Sequence, residues 1–401
     1  MIINSDIIIV GQQAWDIEIG SNCKNIALEF SKHNRVLYVN PPLDRISLFR
    51  NRHDAKVEKR LKVIKGKNSG LVQIQDKLWN LYPDCMIESI NWMKFDTLYD
   101  LLNKVNNKRL AASIQKASDT LQLKNVIIFN DGDMFRSFYL NDLLKNQLSI
   151  YYSRDYLLAT DYYKYHGQKL EPLLIKKSSL CVANSTYLTE YCKKYNPHSF
   201  YVGQGCDQLF SANIDQDQVP ADIKNIQGPI IGYVGVLYTA RLDIEILSLI
   251  AATNPDWQLV LIGPEDEAFK ESDLHQQKNV HFLGSKPPEL LADYINAFDV
   301  CINPQIVNQL TIGNYPRKVD EYLSIGKPVV ATKTVAMEIF KDVVSLAQSK
   351  EEYPGLITKI LNEETPEKKN QRRAFAATHT WENSVNEIYK AINMVAQKTD
   401  T

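Results

Sequence analysis

The sequence predicts two doubly wound α/β domains in tandem, and three observations carry that prediction. At 401 residues the chain exceeds what one hydrophobic core usually organises. Short, fully apolar runs alternate with stretches whose apolar residues recur at helical spacing, as buried parallel strands joined by helices require. The alternation breaks once, over Ser211 to Gly228, and then starts afresh.

In chain order, Asp6 to Val10 is an apolar run stopped by Gly11. Cys23, Ile26, Ala27 and Phe30 then recur at helical spacing, and Val36 to Asn40 reads as the next strand, completing a β-α-β unit. Asn125–Asn130, Leu148–Tyr152 and Leu180–Asn184 repeat the pattern. The polar segment from Ser211 to Gly228 reads as a linker. After it, Pro229–Gly235, Trp257–Gly263, Asn279–Gly284, Asp299–Pro304 and Pro328–Thr332 are strand candidates with helices between them. Trp381 to Ala396 reads as a last helix. The expected division is 1–208, a linker 209–228, a second domain 229–380 and a final helix 381–401. Two such domains place their ligands at the C-terminal ends of the strands.

Composition removes several function classes. Lys and Arg number 46 against 47 Asp and Glu, so no global field attracts nucleic acid. The six cysteines are dispersed, without a C-x-x-C pair or zinc spacing, and suit a reducing cytoplasm. No signal peptide is recognisable at the start, and no apolar run approaches the roughly 20 residues of a bilayer span. Contact with a membrane is expected, if anywhere, on a surface. Residues 45–67 concentrate Arg45, Arg50, Arg52, Lys56, Lys59, Arg60, Lys62, Lys65 and Lys67; they read either as a solvated face or as a contact with anionic lipid.

The most informative run extends from Asn303 to Ala331 and includes Asn308, Thr311, Asn314 and Tyr315. Pro316 suits the first turn of a helix and Gly326 its stop. Lys318 and Glu321, three apart, share a face of that helix. A helix start with a lysine suits a diphosphate, and a carboxylate one turn on suits ribose hydroxyls. The competing reading is a solvated surface pair.

Pro316, Lys318, Glu321, Tyr322, Leu323, Gly326, Lys327, Pro328, Val329 and Val330 resemble the donor-binding pattern of family 4, or group 1, glycosyltransferases, especially the teichuronic-acid and xanthan-type glucuronosyltransferase branch. Trp15-Asp16, Val36–Pro42, Asn184–Leu188, Gly203–Asp207 and Gly232–Gly235 extend the resemblance over most of the chain. It implies a GT-B fold, two Rossmann-like domains facing across a cleft, with a nucleotide sugar as co-substrate; a metal is not required, because basic groups and a helix N-terminus can stabilise the leaving phosphate. It also implies that Glu321 binds the ribose, that Gly235, Arg241 and Lys318 border the diphosphate, and that the last helix crosses back to the first domain. Two departures stand out: Gly313 occupies the position of a second family glutamate, and only Arg241 fills the basic pair that usually follows the glycine now at 235.

On the acceptor side, Asp155 follows a predicted strand, where a general base would take the acceptor proton; a helix cap is the competing reading, and Asp161 is a near rival. Trp15, Asp16, Asp131 and Arg154 complete the acceptor-side set. Asp131 and Asp133 form an Asp-x-Asp that reads as turn and cap residues rather than metal ligands. The tyrosines from Tyr151 to Tyr165 read mainly as packing, with His166 beside them. The expected activity is transfer of a sugar from a nucleotide diphosphate, UDP by preference, to a carbohydrate or lipid-linked glycan hydroxyl. A UDP-sugar epimerase or hydrolase of the same fold, and a non-catalytic sugar-nucleotide-binding protein, stay open as alternatives.

Overall fold

The computed structural model describes residues 2–17, 21–206 and 219–399. The chain divides into two compact units, one of residues 1–203 with 384–401, the other of residues 204–383.

The first unit contains β1 (Asp6–Val10), β2 (Arg35–Val39), β3 (Leu43–Asp44), β4 (Leu71–Gln75), β5 (Leu78–Leu81), β6 (Met86–Ile87), β7 (Ile127–Asn130), β8 (Leu148–Ser153), β9 (Leu180–Ala183) and β10 (Ser199–Tyr201). Eight of these form one sheet in the order β10-β9-β8-β7-β1-β2-β5-β4, while β3 and β6 pair separately. All neighbours in the large sheet run parallel except the β4–β5 hairpin at its edge. The central strands are buried along their whole length, which is why they read as continuous apolar runs. One face packs Ile8, Val10, Leu37 and Ile128 against Leu110, Ile114 and Ala117 of the helix Asp96–Thr120. Phe30 of the helix Asn22–Ser31 meets Phe129 of β7 and Tyr389 of the helix Trp381–Thr399. Asn34 adds a hydrogen bond from Nδ2 to the Tyr389 hydroxyl.

The second unit contains β11 (Ile230–Val234), β12 (Gln258–Ile262), β13 (Val280–Gly284), β14 (Val300–Asn303), β15 (Val329–Thr332) and β16 (Ser345–Ala347). Their order is β13-β12-β11-β14-β15-β16, all parallel. That order is the doubly wound arrangement, with the topological switch between β11 and β14. Alternating residues feed two cores: Cys301 joins Val319, Tyr322 and Leu323 of the helix Arg317–Ile325, while Val300 and Ile302 join Ile246, Leu247 and Ile250 of the helix Ile244–Thr253.

Sequence reading missed β10, β16 and the β4–β5 hairpin. The exposed, polar-rich strand β4 has no continuous apolar run to mark it. The expected linker needs a correction in its second half. Ile223 is buried in the core of the second unit, and Asp222 binds both Lys286 and Tyr294, so this stretch is anchored structure. The first half of the expected linker, 209–218, lies outside the described residues.

Candidate functional site

In the second unit the C-terminal ends of β11 and β14 lie side by side at the switch point. Gly235 follows β11 with φ +144, and a Cβ there would sit 2.5 Å from Lys318 Nζ and 3.0 Å from the Tyr233 hydroxyl. Only glycine meets both demands. Gly263 supports it from the next strand: its own Cβ would lie 2.0 Å from the Gly235 carbonyl oxygen. Lys318 Nζ donates to the Tyr233 hydroxyl and stands 3.8 Å from that ring's centroid. Burial pulls the Lys318 ammonium down to about 7, Glu321 opposing the shift and Arg241 adding to it. A lysine so poised is restored to full charge by an incoming anion.

Arg241 reaches this corner because two loops are stitched together. Ile306 N donates to the Arg241 carbonyl, Asp243 N to the Pro304 carbonyl, both at 2.9 Å, and Asn308 Nδ2 to the Ala240 carbonyl at 2.9 Å. Asn308 Oδ1 accepts from Leu310 N and Thr311 N, while the Thr311 hydroxyl donates to the Ile306 carbonyl. The side chains of Asn308 and Thr311 therefore shape the loop. Asn314 sits half-buried in the following turn, its backbone N–H bonded to the Thr311 carbonyl. The helix Arg317–Ile325 starts one residue later than expected, with Pro316 as its cap, and ends on Gly326 in the left-handed conformation. Glu321 pairs with Arg317 at 3.2 Å one turn along.

Tyr315 points elsewhere. It is buried, donates to Asp320 Oδ2 at 2.5 Å and lies 3.0 Å from His379 Nδ1, which itself sits 2.7 Å from Asp320 Oδ1. Burial raises the Asp320 carboxyl above the ordinary value, against the pull of His379 and Tyr315.

In the first unit the corresponding switch point lies between β1 and β7. Asp131, fully buried after β7, accepts from Arg154 Nε at 2.8 Å and from the Gln12 backbone at 3.3 Å. Arg154 Nη1 reaches Asp155 at 3.1 Å, leaving that carboxylate about a third exposed. Asp131, Arg154 and Asp155 are thus one chain of contacts. The short helix Leu157–Ala159 has Tyr156 at its N-cap position. Asp133 binds Arg136 Nε at 2.6 Å and accepts from the backbone of Phe135 and Arg136, so each carboxylate of the Asp-x-Asp is held by a different arginine. Trp15 and Asp16 form a separate group: Trp15 N donates to Asn40 Oδ1, and Asp16 is bound by Arg60 at 2.9 Å. Burial pushes the Asp16 carboxyl up, but Arg60 and Lys59 outweigh it and hold it below the usual value. Among the described residues no group of three or more His, Cys, Asp or Glu could hold a metal ion, and no helix is long and apolar enough to cross a membrane.

Sequence reasoning missed four polar groups at these strand ends. Gln12 links Tyr163 and Arg154, and its place just after β1 was the available signal. Tyr233 carries Lys318. Asn303 is fully buried at the end of β14, and among the described residues neither of its side-chain amide atoms nor Gln305 Oε1 finds a partner; nothing in a lone Asn-Pro-Gln separates them from ordinary turn residues.

Residues 228–362 match the family model described as Glycosyl transferases group 1. The chain is 27% identical over 194 residues to TuaH of Bacillus subtilis strain 168, a protein named as a teichuronic acid biosynthesis glycosyltransferase; the match spans 46% of this chain and 47% of that relative, about half of each. Among solved structures, an α,α-trehalose-phosphate synthase (UDP-forming) from Burkholderia vietnamiensis superposes with a TM-score of 0.68 at 9% identity, over 100% of this chain and 99% of that one. HepE of Anabaena, in complex with UDP-glucose, superposes with a TM-score of 0.61 at 15% identity, over 98% and 99%. The chain thus has the GT-B fold of these structures, and over residues 228–362 it is similar to the group 1 glycosyl transferases.

Proposed function

We propose that the protein transfers a sugar from a nucleotide diphosphate sugar, UDP-linked by preference, to a hydroxyl of a carbohydrate or lipid-linked glycan acceptor in surface polysaccharide synthesis. The observation that carries this reading is Lys318, packed against the Cβ-free Gly235 at the β11–β14 switch point with Arg241 close by. The acceptor oxygen attacks the anomeric carbon, the bond from that carbon to the diphosphate oxygen breaks, and the nucleotide leaves with the electron pair. Lys318, Arg241 and the start of the helix Arg317–Ile325 balance the leaving charge. Glu321 holds the ribose, and Asp155 takes the acceptor proton. No metal enters the scheme, because these basic groups serve the diphosphate and the Asp-x-Asp carboxylates are bound to Arg154 and Arg136. The protein works in the cytoplasm, with residues 45–67 meeting anionic lipid.

Thermal-shift titration with UDP, GDP and ADP tests the donor site, since a ligand specific for the folded state raises its stability. UDP should raise the melting temperature of the parent but not of Lys318→Ala or Glu321→Ala, and added EDTA should leave UDP-sugar turnover unchanged. No shift with any nucleotide would remove the donor assignment.

A further inference from the structure

Strand β11 and the helix Arg317–Ile325 are joined by two tyrosines that reach in opposite directions. Tyr322, fully buried on the helix, accepts from the Val234 N–H at 2.9 Å and donates to the Val234 carbonyl at 3.4 Å. Tyr233, 2% exposed on the strand, reaches back to Lys318, one helical turn before Tyr322. The two hydroxyls therefore have different tasks. That of Tyr322 meets backbone only, whereas that of Tyr233 meets an ionisable side chain as well.

The direction of the hydrogen bonds at Tyr233 decides what it does to Lys318. A phenolic hydroxyl has one proton to give, and Tyr233 gives it to the Val236 carbonyl at 3.3 Å. Burial, against the pull of Arg241, raises this hydroxyl above its ordinary value, so it stays protonated near neutral pH. Toward Lys318 its oxygen can then only accept. The ring offers its face to the same Nζ, 3.8 Å from the centroid. Both contacts favour the ammonium over the neutral amine. Of the charged groups bearing on Lys318, Arg241 opposes its charge and Glu321 supports it, but Glu321 also pairs with Arg317. Tyr233 thus works against the burial that discharges the lysine. The space left by the missing side chain of Gly235 borders Lys318 Nζ and the Tyr233 hydroxyl alike, so a phosphate oxygen entering there meets both.

We propose that Tyr233 is a positioning residue for the donor, keeping Lys318 charged and aimed at the gap beside Gly235 before a nucleoside diphosphate arrives. The inference rests on the donor reading of Lys318 and deepens it, adding a residue that acts through the lysine.

Calorimetric titration of UDP into the parent, Tyr233→Phe, Lys318→Met and the double variant tests it. Tyr233→Phe keeps the buried ring and removes only the hydroxyl. Without that acceptor the free amine is less often charged, so at pH 8 UDP should bind about tenfold more weakly, the effect of one hydrogen bond to a charged group. At pH 6 the loss should shrink to about twofold, because the free amine there is largely charged with or without the hydroxyl. At pH 7 the proton uptake that depends on Lys318 is about half a proton in the parent, given its value of about 7. It should rise toward one in Tyr233→Phe. In the Lys318→Met background the same change should leave UDP affinity within about twofold. Tyr322→Phe, which loosens the same strand–helix contact through backbone alone, should keep the parental proton uptake. A loss from Tyr233→Phe that persists undiminished in the Lys318→Met background, or is equal at pH 6 and pH 8, would reduce Tyr233 to bracing the Val236 turn and overturn the proposal. Unchanged affinity and proton uptake in Tyr233→Phe would overturn it as well. A parent that binds no UDP would instead overturn the donor assignment on which it rests.

Discussion

Lys318 and Gly235 are complementary: the glycine's missing side chain is the space that the ammonium occupies. An alanine at 235 would combine a backbone conformation suited to glycine with a clash at Nζ, so Gly235→Ala should cost on the order of 1–3 kcal/mol and displace Lys318; chemical denaturation together with UDP titration would register both effects. Lys318 also sets a pH dependence. With its folded value near 7 against an ordinary 10.5, the unfolded chain binds more protons across that window. The penalty for burying this charge is therefore full below about pH 7 and is relieved as pH rises toward 10.5. Lys318→Met should accordingly gain most in stability, relative to the parent, below about pH 7. A diphosphate restores the ammonium, so UDP binding in the window above about pH 7 should take up a proton. Calorimetry in buffers of different ionisation enthalpy would detect that uptake, and Lys318→Met should lack it. Asp155→Asn should reduce turnover by about 10²–10⁴-fold while sparing UDP affinity, measured as nucleotide release with acceptor present.

At the scale of the element, the helix Arg317–Ile325 presents two sides of different character. Lys318 lies toward β11, whereas Asp320 is buried against Tyr315 and His379. The sequence spacing of Lys318 and Glu321 was enough to place them one turn apart. It could not reveal that Tyr315, only three residues before Lys318, turns inward, because its partner His379 is far along the chain and comes near only through packing. Asp320→Ala leaves Tyr315 and His379 without their buried acceptor. It should destabilise the second unit by about 1–3 kcal/mol, the cost of leaving buried polar groups unsatisfied, with unfolding followed by urea titration. Asp320→Asn should recover part of that loss by preserving a hydrogen-bond acceptor. Asn308 and Thr311 make a related point: their residue types suit ligand contacts, yet their side chains close the loop that brings Arg241 into position.

For the whole molecule, the division into two units is discontinuous in sequence, since residues 384–401 join the first unit. The last helix contributes Tyr389, which packs on Phe30 and accepts from Asn34. Tyr389→Ala should therefore destabilise the first unit by about 3–5 kcal/mol, the range for truncating a buried aromatic side chain, although the substitution lies far along the chain from β1 and β2. A melting curve followed by tryptophan fluorescence would measure it.

The sequence alone determined the central strands of the two sheets, since strands buried on both faces must be continuously apolar and so announce themselves, whereas the edge strands β4, β10 and β16 did not. It also determined the helix that bears Lys318 and Glu321, because a cap, a stop and a three-residue spacing are local properties. Tertiary structure alone decided which polar residues meet. Asp131, Arg154 and Gln12 come together only because β1 and β7 are neighbours in the sheet, and Tyr233 supports Lys318 only because β11 lies beside that helix. Local chemistry fixes the elements; convergence of distant side chains depends on strand order and packing, which no short stretch of sequence encodes.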